Sequence, residues 1–90
     1  MIQKYQLTDR QISSSLSDEV VILNHKDGVY YALEEVGMLV WQQLQTAPQT
    51  IDELTEKVCE SYDIEIDVCK ADIQKLINDL VTEKLVEAID

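Results

Sequence analysis

The chain has 90 residues, 46% of them hydrophobic, enough for one folded domain (residues 1–90) with one modest core. Eighteen acids face seven scattered bases (Lys4, Arg10, Lys26, Lys57, Lys70, Lys75, Lys84), a net charge of -11, and without clustered cations nucleic acid is not an expected partner. The longest apolar runs are four or five residues, against the roughly 20 that span a membrane, so no membrane contact is expected either.

Acidity of this kind suits a basic or neutral partner, and equally a solvated surface. The start, Met1-Ile2-Gln3-Lys4-Tyr5-Gln6, has no apolar signal core and no small-residue cleavage site. A cytoplasmic location is expected, with Cys59 and Cys69 as reduced thiols. Two isolated cysteines and one histidine cannot supply the usual four zinc ligands. No metal or cofactor is expected.

Met1 to Asp9 show no hydrophobic period. Gln11 to Leu16 reads as a short strand with Ile12 inward, and Ser17-Asp18 as a turn. Glu19-Val20-Val21-Ile22-Leu23 is a stronger strand, with three β-branched residues. Asn24-His25-Lys26-Asp27-Gly28 is a turn cluster of hairpin length. Val29-Tyr30-Tyr31-Ala32-Leu33 is the next strand. It does not alternate apolar with polar, so both of its faces are expected to need cover.

From Glu34 the period becomes helical: Val36, Leu39, Val40 and Leu44 recur at three- and four-residue spacing beside Trp41, up to Pro48. Thr50-Ile51-Asp52-Glu53 has capping-box form and opens a second helix, apolar at Ile51, Leu54, Val58 and Tyr62. Asp67 is expected to cap a third helix, apolar at Val68, Ile73, Leu76, Ile77, Leu80 and Val81. Leu85 to Ile89 reads as a short strand or a tail packed on the core. The expected fold is α+β: a three-stranded antiparallel sheet followed by three helices, like a winged helix-turn-helix.

No catalytic set emerges. His25, the only histidine, lies in a polar turn, whereas a general base sits in a pocket beside a nucleophile. Neither cysteine has a neighbouring histidine or cationic cluster to activate it. Asp63-x-Glu65-x-Asp67 begins like a calcium loop, but Val68 replaces the required glycine and Gln74 the required glutamate. A carrier domain for a phosphopantetheine arm needs a serine at a helix start; Ser15 lies in a strand region and Ser61 ends a helix. The third helix balances Asp72, Asp79 and Glu83 against Lys70, Lys75 and Lys84, so it offers DNA no net attraction. The chain is not expected to be an enzyme.

Val29 to Leu33 lies at a sheet edge if strand order follows the chain. An exposed apolar edge is an aggregation hazard unless covered or used, and a peptide that adds as a strand is one way to use it. A neighbouring element could equally cover it.

The run Val21-Ile22-Leu23, Asn24 to Gly28, Val29-Tyr30-Tyr31-Ala32-Leu33-Glu34-Glu35-Val36-Gly37, then Val40-Trp41-Gln42-Gln43-Leu44, resembles the PqqD-like family. Members often show G-x-Y-Y-x-L-N-x-x-G followed by an apolar helix with a Trp. Thr50 to Leu54, Asp72 to Leu80 and Leu85-Val86 fit the later elements, so the resemblance spans roughly Ile12 to Ala88. Glu35 departs from it where members commonly have Asn, after the Leu-x pair or directly after the Leu. The resemblance implies a recognition element for ribosomally made, post-translationally modified peptides (RiPPs). It implies that a precursor's leader adds as a strand to Val29, Tyr30, Tyr31, Ala32 and Leu33. The leader would lie against Cys69, Asp72, Ile73, Leu76, Asp79 and Leu80. The implied partners are the leader and a processing enzyme, which for free-standing chains of this length is the leader peptidase of lasso-peptide pathways. The alternative is a winged-helix regulatory or protein-interaction domain.

Overall fold

The computed structural model describes residues 3–89. Two three-stranded antiparallel sheets and three helices share one core. The strands are β1 (Lys4–Leu7), β2 (Gln11–Ser15), β3 (Glu19–Asn24) and β4 (Val29–Glu34), followed by helix α1 (Glu35–Thr46). Then come β5 (Gln49–Thr50), α2 (Ile51–Ser61), α3 (Ile66–Thr82) and β6 (Val86–Ile89). One sheet has the order β2-β3-β4, as the sequence implies; the other, β5-β1-β6, was not expected.

The second sheet corrects the reading of the first nine residues. Within that stretch, Met1 and Ile2 lie outside the described residues. Lys4-Tyr5-Gln6-Leu7 alternates polar with apolar, and Tyr5 and Leu7 pack on the core. β1 pairs with β6 from Lys4↔Ile89 to Leu7↔Val86. So the C-terminal segment is a strand, held by the start of the chain.

The core draws on every layer. Val20, Ile22 and Leu33 come from the sheet, Val40, Trp41 and Leu44 from α1, and Leu54 and Val58 from α2. Cys69, Ile73, Ile77 and Leu80 come from α3, and Leu85 and Val86 from the end of the chain. Ile12 was expected inward, yet it is 60% exposed. The register explains it: Ile12 faces Leu23, whereas Ser13 faces the buried Ile22, so β2 turns its serine to the core side. A one-residue offset in a strand exchanges its faces.

The helix ends follow local chemistry. Glu53 N–H donates to Thr50 Oγ1 (3.0 Å), and Thr50 N–H donates to Glu53 Oε1 (2.8 Å), completing the expected capping box. These bonds hold the Glu53 carboxyl below its usual range. Asp67 is not the cap of α3. The helix begins at Ile66, with Glu65 as a cap that makes no side-chain bond, and Asp67 sits in the first turn. Val68 lies off the buried stripe of Cys69, Ile73, Ile77 and Leu80 and is 50% exposed. At the other end, Leu85 N–H donates to Leu80 C=O and Lys84 N–H to Val81 C=O. This Schellman pattern puts Lys84 at φ 63°, where glycine is usual.

Among the described residues, no helix is long and apolar enough to cross a membrane.

Candidate functional site

The register of β4 settles which tyrosine faces the core. Leu33, Tyr31 and Val29 stand opposite Val20, Ile22 and Asn24, all three buried. Tyr31 therefore points inward and is half-buried, while Tyr30 points outward and is 69% exposed. Ala32 is also exposed. The expectation that both faces need cover is corrected: one face is packed and the other is open.

The hydrogen-bonding parity of the sheet can be read from two bonds. Leu16 N–H donates to Glu19 C=O (2.7 Å), and His25 N–H donates to Arg10 C=O (3.0 Å). Main-chain groups of the odd-numbered residues of β3 thus point to β2. Alternation turns Val20, Ile22 and Asn24 toward β4, where they bond Leu33, Tyr31 and Val29. The N–H and C=O groups of Tyr30 and Ala32 then point out of the sheet. β4 is an end strand, and no described strand pairs with that side.

A buried asparagine sets the corner of the site. Asn24 Oδ1 accepts from the N–H groups of Lys26 and Asp27 (both 3.1 Å), which closes the β3–β4 turn. Its Nδ2 donates to the C=O of Glu83 (3.0 Å), just past α3. The hairpin is thereby tied to the end of α3. Gly28 completes the turn at φ 72°, a backbone state costly to other residues.

Beside that corner, α3 and its C-cap Glu83 present Asp72, Leu76, Asp79 and Glu83 at steps of four, three and four, hence along one face. Leu76 is half-buried and packs on the core; Asp72 and Asp79 are exposed. The ion pairs among the described residues are Lys57–Glu60 and Lys70–Asp52, so these acids have no cation. Burial, then the carboxylates of Glu83 and Asp79, push the Tyr31 phenol up from its ordinary range. The open strand and the acidic face of α3 thus meet at Tyr31.

The expected site residues divide into two sets. Val29, Tyr30, Tyr31, Ala32, Asp72, Leu76 and Asp79 are at least partly accessible. Leu33, Cys69, Ile73 and Leu80 are buried in the core. The Cys69 thiol is pushed up to about 11 by burial and by Cys59, so it stays protonated at neutral pH. Sequence reasoning did not single out Asn24 or Glu83 for the site; only tertiary packing joins them. A surface cavity of about 440 Å³, lined by Asp52, Thr55, Glu56, Ile66, Asp67 and Lys70, lies away from this edge. A strand needs an unpaired edge and not a cavity, so the edge is the better candidate.

The family model for coenzyme PQQ synthesis protein D (PqqD) matches residues 19–86, from β3 into β6. The chain belongs to the PqqD family. One glycine of the matched region is explained by this geometry. A Cβ on Gly37 would lie 3.3 Å from the Leu33 side chain, so glycine lets α1 close on β4. Glu35, the first residue of α1, sits at φ 49°, a left-handed state uncommon for residues other than glycine and asparagine. Among solved structures, TbiB1 in complex with the TbiA(beta) leader peptide has a TM-score of 0.85 and 26% identity to this chain. The match covers 91% of this chain and 94% of that one. A lasso peptide synthetase B1 complexed with the leader peptide has a TM-score of 0.80 at 18% identity, covering 92% and 96%, and shares the fold. No curated protein matches the chain.

Proposed function

We propose that this PqqD-family domain binds the leader region of a RiPP precursor peptide without catalysing a reaction itself. The leader adds as a strand to β4 and bonds the main-chain groups of Tyr30 and Ala32. Its inward side chains enter the cleft against α3, where Leu76 takes an apolar group over the floor of Leu33, Cys69, Ile73 and Leu80. Asp72, Asp79 and Glu83 favour Lys or Arg, each exposed pair adding about 0–1 kcal/mol. The domain then delivers the bound precursor in the cytoplasm to a separate processing enzyme, the leader peptidase of a lasso-peptide pathway.

The observation that carries this reading is an apolar end strand with outward main-chain groups beside an uncompensated acidic helix face. The family and the TbiB1 likeness support the same reading. Among the described residues, no set suits general acid–base or nucleophilic work.

The test is a titration with labelled leader peptides of lasso-peptide precursors, followed by Tyr30→Pro. Proline removes an N–H that points out of the sheet, so the fold should survive by circular dichroism. Leader affinity should fall about tenfold or more, since main-chain bonds and strand fit are lost together. Unchanged affinity in a folded variant would refute strand addition at β4.

A further inference from the structure

The cleft accounts for the inward side of an added strand; the outward side has a surface of its own. On the outer face of the β2-β3-β4 sheet, Ile12 stands opposite Leu23, and Leu23 opposite Tyr30. Their side chains rise on the same side, because strand side chains alternate with period two and opposed residues share a face. Ile12 is 60% exposed and Tyr30 69%, with the half-buried Leu23 between them. The row makes no part of the core, which takes Val20, Ile22 and Leu33 from the opposite face of the same strands. It runs across the sheet and stops at Tyr30, where the sheet itself stops.

Tyr30 is also a residue whose N–H and C=O point out of the edge. In an antiparallel ladder, the residue that exchanges both bonds with Tyr30 lies directly opposite, about 5.5 Å away between Cα atoms. Its side chain must rise beside the Tyr30 ring and make the row four members long. Two residues along, Ala32 is small and leaves room on the same face. Two further on, Glu34 stands opposite Glu19. Like charges directly opposed are unfavourable, and neither has a cationic partner among the described residues. A cation beside Glu34 would relieve that pair.

We propose that the row Ile12–Leu23–Tyr30 is a second specificity element of the peptide site. The bound peptide completes it with an aromatic or β-branched residue opposite Tyr30. Antiparallel addition puts a Lys or Arg four residues earlier in the peptide, opposite Glu34. The substrate class is therefore a segment of the form basic-x-x-x-aromatic or β-branched on its outward face. The inward face remains free to suit α3. This inference rests on the strand-addition reading.

The experiment selects a phage-displayed library of random linear peptides on the full chain, on Ala32→Pro and on Tyr30→Ser, with circular dichroism to verify that each variant folds. Peptides retained by the full chain and lost on Ala32→Pro are bound at the β4 edge. That pool should carry the stated spacing. On Tyr30→Ser the preference for an aromatic or β-branched residue should disappear while the basic position persists. Affinity for individual peptides should drop by about two- to fivefold, the range of one cross-strand pair. An edge-bound pool with no preference at that position, or one whose preference survives Tyr30→Ser, overturns the inference and leaves strand addition standing. Absence of any pool sensitive to Ala32→Pro overturns both.

Discussion

Tyr31 is the residue at which strand, helix and charge meet. Its phenol is pushed up from the ordinary value of 10.0 by burial first, then by Glu83 and Asp79. A group whose folded pKa is raised holds its proton more tightly in the native state. Its contribution to stability is thus complete below about pH 10 and is lost as pH rises through the folded value. Replacing Asp79 by Asn should bring the Tyr31 transition part of the way back, because burial remains the larger cause. A bound cationic leader should move it in the same direction. Tyrosine titration followed by NMR, with Tyr31 assigned, checks both shifts; a transition indifferent to Asp79→Asn would place the carboxylate too far away to matter. Neither the direction of Tyr31 nor its company was legible in the sequence. Two adjacent tyrosines are equivalent there until the register makes one face Ile22.

At the scale of elements, the proposed leader site depends on how the β3–β4 hairpin is fastened to α3. Asn24 does this with a side chain that is 1% exposed, fully engaged by the turn and by Glu83 C=O. In the sequence it is one of five turn-forming residues, and its turn role was evident there. Its second role was not, because Glu83 lies 59 positions away. Asn24→Ala removes four side-chain bonds, to Lys26 N–H, Asp27 N–H, the Asp27 carboxylate and Glu83 C=O. The expected loss is about 1–3 kcal/mol, a fall in Tm on the order of 5–15 °C for a domain of this size. Leader affinity should drop in the same variant even below its Tm, because the corner of the cleft is released. Thermal melts together with leader titration test this; a stable variant with normal affinity would show that packing alone holds the corner. Helix limits illustrate the same divide. The capping box at Thr50 was readable because all its parts lie within four residues. The start of α3 was misread because Asp67 has capping chemistry, yet the helix begins one residue before it, at Ile66, with Glu65 as its cap.

For the whole molecule, the charge of -11 is the dominant global term. With two ion pairs among the described residues, most acids repel one another across a small surface. Screening should therefore stabilise the fold. Raising sodium chloride from low to moderate concentration should raise Tm by about 2–5 °C, as the Debye length falls to about 8 Å at physiological ionic strength. A melting temperature indifferent to salt would show that the acids are already spaced beyond each other's reach. The same surplus explains why a helix-turn-helix shape carries no DNA-binding implication here: the shape is reached by packing three helices, but a phosphate backbone requires cations. By itself the sequence determined the three helices, the strands β2, β3 and β4 in their sheet order, the acidic surface and the family motif. These rest on local propensity, period and composition, which act over a few residues. Tertiary structure alone decided the second sheet, the outward turn of Ile12, the choice between Tyr30 and Tyr31, and the meeting of β4 with Asp79 and Glu83. Each depends on a pairing between distant segments, and a shift of one residue in register would reverse which side chains the edge presents.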